Sequence, residues 1–237
     1  MTTRNNSQYV GDELELFAHA INWRSYWTSK IVNYLRGRVL EVGAGIGTNT
    51  KNLYHLSDNW TALEPDASQS AVISNWLHAS NTLSANVLIG TLSTLDDDKM
   101  YDAILYIDVL EHIEFDRQEV INAYHHLAPG GVIIILSPAH DFLYSLFDKS
   151  IGHYRRYSRK TLLKLRPSDS IIKFTGYLDS VGLLASLGNK LIMKSSMPTK
   201  NQILFWDRVL VPVSKVLDRI FRFKVGKSIL AIWQKPR

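Results

Sequence analysis

A chain of 237 residues and 27.0 kDa is long enough for one sizeable α/β domain and too short for two ordinary ones. With 46% apolar residues, 21% charged residues and a formal charge of +5, the composition is globular and only mildly basic, no apolar run reaches the length of a membrane span, and a nucleic-acid face is disfavoured. Cysteine is absent, which excludes thiolate nucleophiles and cysteine-bound metals; the start, MTTRNNSQYVGDELELF, lacks the basic-then-apolar order of a signal peptide, and the expectation is a cytoplasmic protein.

In chain order, Leu14 to Leu35 carries Leu16, Phe17, Ala20, Trp23 and Trp27 at helical spacing, so one or two helices precede the first strand. Short apolar runs follow at Arg38 to Val42, Asn59 to Leu63, Ala85 to Gly90, Ala103 to Ile107 and Val132 to Leu136, separated by segments that read as helix or loop. Several are apolar on both faces, as in a parallel sheet covered by helices on both sides. Ser158 reads as the N-cap of a helix Arg159 to Leu165 that Pro167 ends. A further strand is expected near Ile171 to Tyr177, then a helical stretch Asn201 to Phe221 that Pro212 kinks or divides, then a last strand Ser228 to Gln234. The expected fold is α/β: a Rossmann-like seven-stranded, mostly parallel sheet with helices on both faces and an antiparallel C-terminal strand. No repeat or linker divides it, so residues 1–237 read as one domain, with a helical cap at 1–35, a cofactor core at 36–140 and acceptor-side lid and insertion helices at 141–225.

Directly after the first strand comes Glu41-Val42-Gly43-Ala44-Gly45-Ile46-Gly47-Thr48, opening a helix Asn49 to Leu56. Strand, glycine turn and helix start let backbone approach a ligand closely, since glycine lacks a Cβ and tolerates positive φ. The dinucleotide fingerprint is G-x-G-x-x-G and faces a pyrophosphate. Here the spacing is G-x-G-x-G behind an acid, and Glu41 would repel a diphosphate yet suit the cationic amino end of an aminoacyl sulfonium, directly or through water. Glu64, at the end of the second strand, can accept both hydroxyls of a ribose.

These residues carry a resemblance. VLEVGAGIGTNT, ALEPD, IGTLSTLD, YDAILYIDVLEHI and LAPGGVIIILSP, over about residues 35 to 140, resemble the class I S-adenosylmethionine-dependent methyltransferases in order and spacing. The resemblance implies S-adenosyl-L-methionine as cofactor. Glu41, Gly43, Ala44, Gly45 and Gly47 would hold its methionine portion, Glu64 the ribose, and Pro65 with Asp66 would flank the adenine. Thr91 and Leu92 would line the adenine pocket, and Asp108 and Val109 would face the methionine part and the reacting centre.

Methyl transfer needs an acceptor lone pair aligned with the electrophilic carbon, and an oxygen acceptor often needs a base. His140, after the fifth strand, is the first choice, with His153 and His112 as alternatives. Asp148 to Tyr157 crowds Tyr154, Arg155, Arg156 and Tyr157 into a lid able to clamp an anionic or hydroxyl-rich acceptor; its rival reading is a solvated basic turn in which Asp148 pairs with an arginine. The absence of Asn-Pro-Pro-Tyr or Asp-Pro-Pro-Tyr after the fourth strand argues against base methylation. No catechol-type acidic and histidine set is evident, so no metal is expected. The expected acceptor is a small molecule, a hydroxyl in preference to an amine: a sugar, polysaccharide precursor or secondary metabolite. The basic amphipathic stretch from Phe205 to Lys224 could lie on a membrane surface, although packing on its own sheet is the commoner arrangement. The rivals are a non-catalytic cofactor-binding scaffold and a nicotinamide oxidoreductase. Nothing in the sequence signals an oligomeric state.

Overall fold

The computed structural model describes residues 12–188 and 198–237, so the expectation drawn from the first residues lies largely outside the described chain. Seven strands form one sheet: β1 (Arg38–Val42), β2 (Asn59–Glu64), β3 (Ala85–Ile89), β4 (Tyr101–Ile107), β5 (Leu127–Pro138), β6 (Ile171–Leu178) and β7 (Ser228–Gln234). Their order is β3-β2-β1-β4-β5-β7-β6. Strands β1 to β5 pair in parallel, and β7 enters between β5 and β6 antiparallel to both. Strand order therefore reverses between β1 and β4, the place where open α/β sheets leave a crevice at the carboxyl ends of the strands.

Alternation of side chains fixes the two faces. Val39, Ala103, Leu105, Val132, Ile134, Leu230 and Ile232 join one buried cluster, while Leu40, Ile104, Tyr106, Ile133, Ile135, Ile229 and Trp233 join the other. Because both faces are covered, the central strands carry apolar residues on both faces rather than only at every second position. Helices α1 (Asp12–Ala18) and α2 (Ile21–Ile31) cover the first face, where Trp23, Tyr26 and Trp27 are core residues. Next come α3 (Thr48–Leu53) after β1, α4 (Ala67–Ala79) after β2, and α5 (Asp116–His125) between β4 and β5. Short helices α6 (Leu146–Ser150) and α7 (Arg159–Leu163) lead to β6, and α8 (Ser180–Gly188), α9 (Lys200–Phe205) and α10 (Val211–Ile220) lead to β7.

Local chemistry sets several helix ends. Asp66 caps α4 by accepting from the backbone N–H of Ser68 (2.8 Å) and Gln69 (3.2 Å), and Ser158 caps α7 by accepting from Thr161 N. The irregularity expected where Pro212 kinks or divides the last helix falls directly ahead of it. One π turn, Trp206–Leu210, joins α9 to α10, and Pro212 falls in the first turn of α10, where a missing N–H costs least. No helix among the described residues is long and apolar enough to cross a membrane.

Candidate functional site

The glycine elbow sits at the carboxyl end of β1. Gly43, Gly45 and Gly47 have φ of 66°, 57° and 77°, a region that side chains bearing a Cβ rarely occupy. A Cβ on Gly43 would stand 2.8 Å from both γ-methyls of Val109, and one on Gly47 would stand 2.8 Å from Ile73. Val109 therefore locks the elbow from beneath, which is its observed contact. At Gly45 a Cβ would lie 3.2 Å from Leu14, so α1 folds over the elbow.

Glu64 ends β2 with its carboxylate turned to the elbow: Oε2 accepts from Gly45 N at 2.7 Å and Oε1 from Asp66 N at 2.9 Å. Burial raises its pKa, and those two bonds oppose the rise. A carboxylate offers about four acceptor positions, so two remain for paired hydroxyls of a ligand. The residues present thus fit an adenosyl group on two counts: backbone that only glycine can bring close, and an acid with unused acceptor capacity.

Glu41 departs from the direct contact considered for it. Its side chain is 2% exposed, and Oε2 accepts from Thr50 Oγ1 (2.5 Å) and Trp60 Nε1 (3.1 Å). Burial pushes its carboxyl up to about 7 against those hydrogen bonds. The acid points into the protein because α3 and β2 both supply donors there, and it braces the elbow from within. Asp66 is engaged as the α4 cap, Pro65 and Thr91 are exposed, and Leu92 is buried in the second core cluster.

Asp108 follows β4 with φ 54°, its N–H bound to Leu136 O at 2.8 Å, and its side chain opens onto the crevice. Surrounding protein pushes its carboxyl up to about 6, while His153 and Lys227 pull the other way.

The acceptor-side residues correct the lid expectation. Arg156 pairs with Asp148 through two bonds, Nε to Oδ1 at 2.7 Å and Nη2 to Oδ2 at 2.9 Å, so the rival reading of that arginine holds. Burial alone would raise the Asp148 pKa, but His153 and Arg156 overcome it and hold the carboxyl well below the usual range. Arg155 pairs with Asp116 at 2.6 Å and donates to Glu114 O. Tyr157 is 2% exposed, its hydroxyl donating to Asp116 (2.8 Å), which makes it a post of the second core cluster. Of the four lid residues, only the Tyr154 side chain is exposed.

The three histidines differ. His140 has φ 67° and sits between Phe142 and Tyr177, ring centroids 5.0 and 4.7 Å away, with Nε2 at 3.0 Å from Gly226 O. Burial lowers its pKa, and the stacked, carbonyl-bound ring is a wedge between the β5 end and β6. His153 is nearly buried: Nδ1 meets Asp148 Oδ1 at 2.9 Å and Nε2 faces Glu111 Oε1 at 3.8 Å. His112 packs edge-on against His153 at 4.5 Å, and burial followed by the neighbouring imidazole lowers its pKa to about 4. Glu111 escaped sequence reasoning. It is fully buried, and among the described residues neither carboxylate oxygen has a hydrogen-bond partner. Its position directly before His112 was the available signal. One donor atom each from Glu111, His112 and His153 lies within 4.8 Å of the others, a grouping that could hold a metal ion.

Residues 17–173 match the family described as "Methyltransferase domain". The ubiquinone biosynthesis O-methyltransferase of Rickettsia typhi is 34% identical over 99 residues, which is 41% of this chain and 39% of that relative. The matched stretch thus spans about two fifths of that relative's length. Among solved structures, the N-methyltransferase NodS from Bradyrhizobium japonicum, in complex with S-adenosyl-L-homocysteine, is similar with a TM-score of 0.58 and 13% identity over 98% of this chain and 94% of that one. The cyclase SpnF is similar with a TM-score of 0.61 and 13% identity over 96% of this chain and 95% of that one. At such identities the likeness is one of fold.

Proposed function

The chain belongs to the methyltransferase domain family, and from that premise we propose that it binds S-adenosylmethionine at the Gly43–Gly47 elbow and methylates a hydroxyl of a small acceptor. The observation that carries the reading is the elbow itself: three left-handed glycines at alternate positions, with Glu64 gripping Gly45 N and keeping acceptor positions for a ribose. When bound, the sulfonium supplies an electrophilic methyl carbon. The chain's own residues bind and orient. Glu64 takes the ribose hydroxyls, the elbow backbone lies against the methionine portion, and Glu41 keeps the elbow in place from below. Pro65, Asp66, Thr91 and Leu92 border the adenine side, and Asp108 faces the reacting centre.

The hydroxyl preference draws support from the relatives in Rickettsia, whose names specify O-methylation, over a matched stretch of 41% of this chain. The groups able to receive a hydroxyl proton gather at the carboxyl end of β4, around Asp108, Glu111, His112 and His153. His140, the first choice from sequence, is the weaker candidate, because its Nε2 is committed to Gly226 O. A sugar or polysaccharide precursor stays within the acceptor class.

Calorimetry with S-adenosylhomocysteine and with NAD tests the cofactor, and radiolabelled methyl transfer to hydroxylated metabolite pools tests the reaction. Micromolar binding of the homocysteine product, weakened at least tenfold in Gly43→Ala, is the expected result. Heat with NAD alone would overturn it in favour of an oxidoreductase. Binding without labelling of any pool would favour the scaffold, a rival that the shared fold of a cyclase keeps in view.

A second element of the reading is peripheral membrane contact. Between residues 198 and 227 the only acids are Asp207 and Asp218, both buried, so Lys200, Arg208, Lys215, Arg219, Arg222 and Lys224 leave that surface cationic. Val209, Val213, Val216 and Ile220 are 46%, 46%, 59% and 66% exposed along one shoulder of the helix, beside the basic shoulder. Apolar and cationic shoulders side by side suit an anionic bilayer. Flotation with anionic vesicles should recover the protein, and its absence from the floated fraction would remove this element.

A further inference from the structure

A fully buried carboxylate is costly unless donors, a proton or a cation answer its charge. Glu111 is fully buried and neither oxygen is matched by a partner in hydrogen-bond geometry, so the Ser137 hydroxyl and its own backbone N–H answer that charge only in part. Arg156 helps from a distance, because its guanidinium is paired with both oxygens of Asp148. What faces Glu111 is His153 Nε2 at 3.8 Å, with His112 edge-on beside that ring. Asp148 Oδ1 lies 2.9 Å from His153 Nδ1. That contact occupies Nδ1 and leaves Nε2 as the ring nitrogen directed at Glu111. A histidine whose far nitrogen donates to a carboxylate is the arrangement that orients metal-ligating imidazoles. Arg156 and Ser145 in turn hold Asp148, so the orienting group is itself fixed.

We propose that Glu111, His112 and His153 form a binding site for a single divalent cation, with Asp148 as the residue that positions His153. Two imidazoles and one carboxylate suit a borderline ion such as Zn2+, Co2+ or Mn2+ better than Mg2+ or Ca2+, which prefer oxygen donors throughout. Metal bonds of about 2.1 Å would draw the three donors closer together than the 4.8 Å they span here. Three protein ligands leave coordination positions open, and Asp108 marks the crevice side. A hydroxyl coordinated there would lose its proton near neutral pH, so the ion takes up the activating role that sequence reasoning gave to a lone histidine. That use rests on the methyl-transfer reading, whereas cation binding stands apart from it. The expectation of a metal-free site came from searching for a catechol-type set; this donor set is assembled differently, from the turn after β4 and the loop after α6.

The test uses the full chain, stripped with chelator and dialysed, then titrated with Mn2+ under electron paramagnetic resonance and with Co2+ under visible absorption. The expected result is uptake of one ion per chain at micromolar concentration, with Co2+ bands of the intensity that four- or five-coordination gives. Glu111→Gln and His153→Asn should each weaken uptake at least tenfold, and the exposed His55→Asn should leave it unchanged. Circular dichroism identifies any variant that fails to fold, and His112→Asn replaces it. Absence of stoichiometric uptake by the wild-type chain overturns the proposal, as does undiminished uptake by the folded site variants. Because the readouts are magnetic and optical, a protein that takes up the ion yet transfers no methyl group would sink the functional reading and leave this one standing.

Discussion

The cofactor half of the sheet, β1 to β4, and the helical layer formed by α2, α8, α9 and α10 are held together by different means. In the first, chain neighbours do the work: Glu64 bonds Asp66 N two positions on, Asp66 caps its own helix, and Glu41 takes Thr50 nine positions on. In the second, buried acids bond across most of the chain. Asp207 accepts from Asn22 N and Trp23 N, supplying to α2 the N-terminal cap that Ala20 cannot, from 185 positions away. Asp218 accepts from Tyr26 Oη and from the backbone N–H of Asp179 and Ser180, and so joins α2 to the start of α8. The cofactor half is thus specified locally, whereas the helical layer exists only once both ends of the chain have met.

The largest expected effect breaks the long-range side. Asp218→Ala strands one buried hydroxyl and two buried N–H groups at once, and should lower stability by about 3 to 5 kcal/mol in urea unfolding. A loss below about 1 kcal/mol would mean that water replaces the carboxylate, and that the layer is less dependent on the acid than its burial implies.

An intermediate effect sharpens the local side through pH. The Glu41 carboxyl is raised from the ordinary 4.5 to about 7 by burial. Below pH 4.5 it is neutral in both folded and unfolded chains and costs nothing. As pH rises past that point the unfolded chain ionises first, so stability falls until the folded carboxyl also ionises near 7, and the penalty is constant above. The full amplitude is about 3 kcal/mol. Glu41→Gln keeps an acceptor for Thr50 and Trp60 and removes the titration. Melting curves should therefore show the variant gaining on the wild type from pH 5 to pH 7 and no further. Equal slopes for the two proteins would show that Glu41 ionises normally.

The same contrast explains what the sequence disclosed. Strand β1 and strand β7 were legible to the residue, because apolar runs bounded by turn residues are local patterns. The elbow was legible because glycine spacing is local too. The role of Arg156 was legible only as one of two readings, since its partner depends on how α6 turns back, and Asp148 and Arg156 lie on opposite sides of a loop. Glu111 read as one acid among many, and only burial singled it out. Pro212 marked where the last helix is irregular, but not the form the irregularity takes, because a π turn has no sequence signature of its own.

The smallest effect separates the two roles that the neighbourhood of Asp66 combines. Asp66→Ala removes a side-chain cap from α4 and should cost about 1 kcal/mol of stability, the usual worth of such a cap. The backbone N–H of Asp66 survives the substitution, so Glu64 keeps that donor and stays aimed at the elbow. Affinity for S-adenosylhomocysteine should then fall by no more than about threefold, a few tenths of a kcal/mol, since the cap is spent on the helix. A loss of tenfold or more in the folded variant, read by calorimetry, would show that the Asp66 carboxylate itself touches the ligand. The adenine contact expected from sequence would then take precedence over the cap.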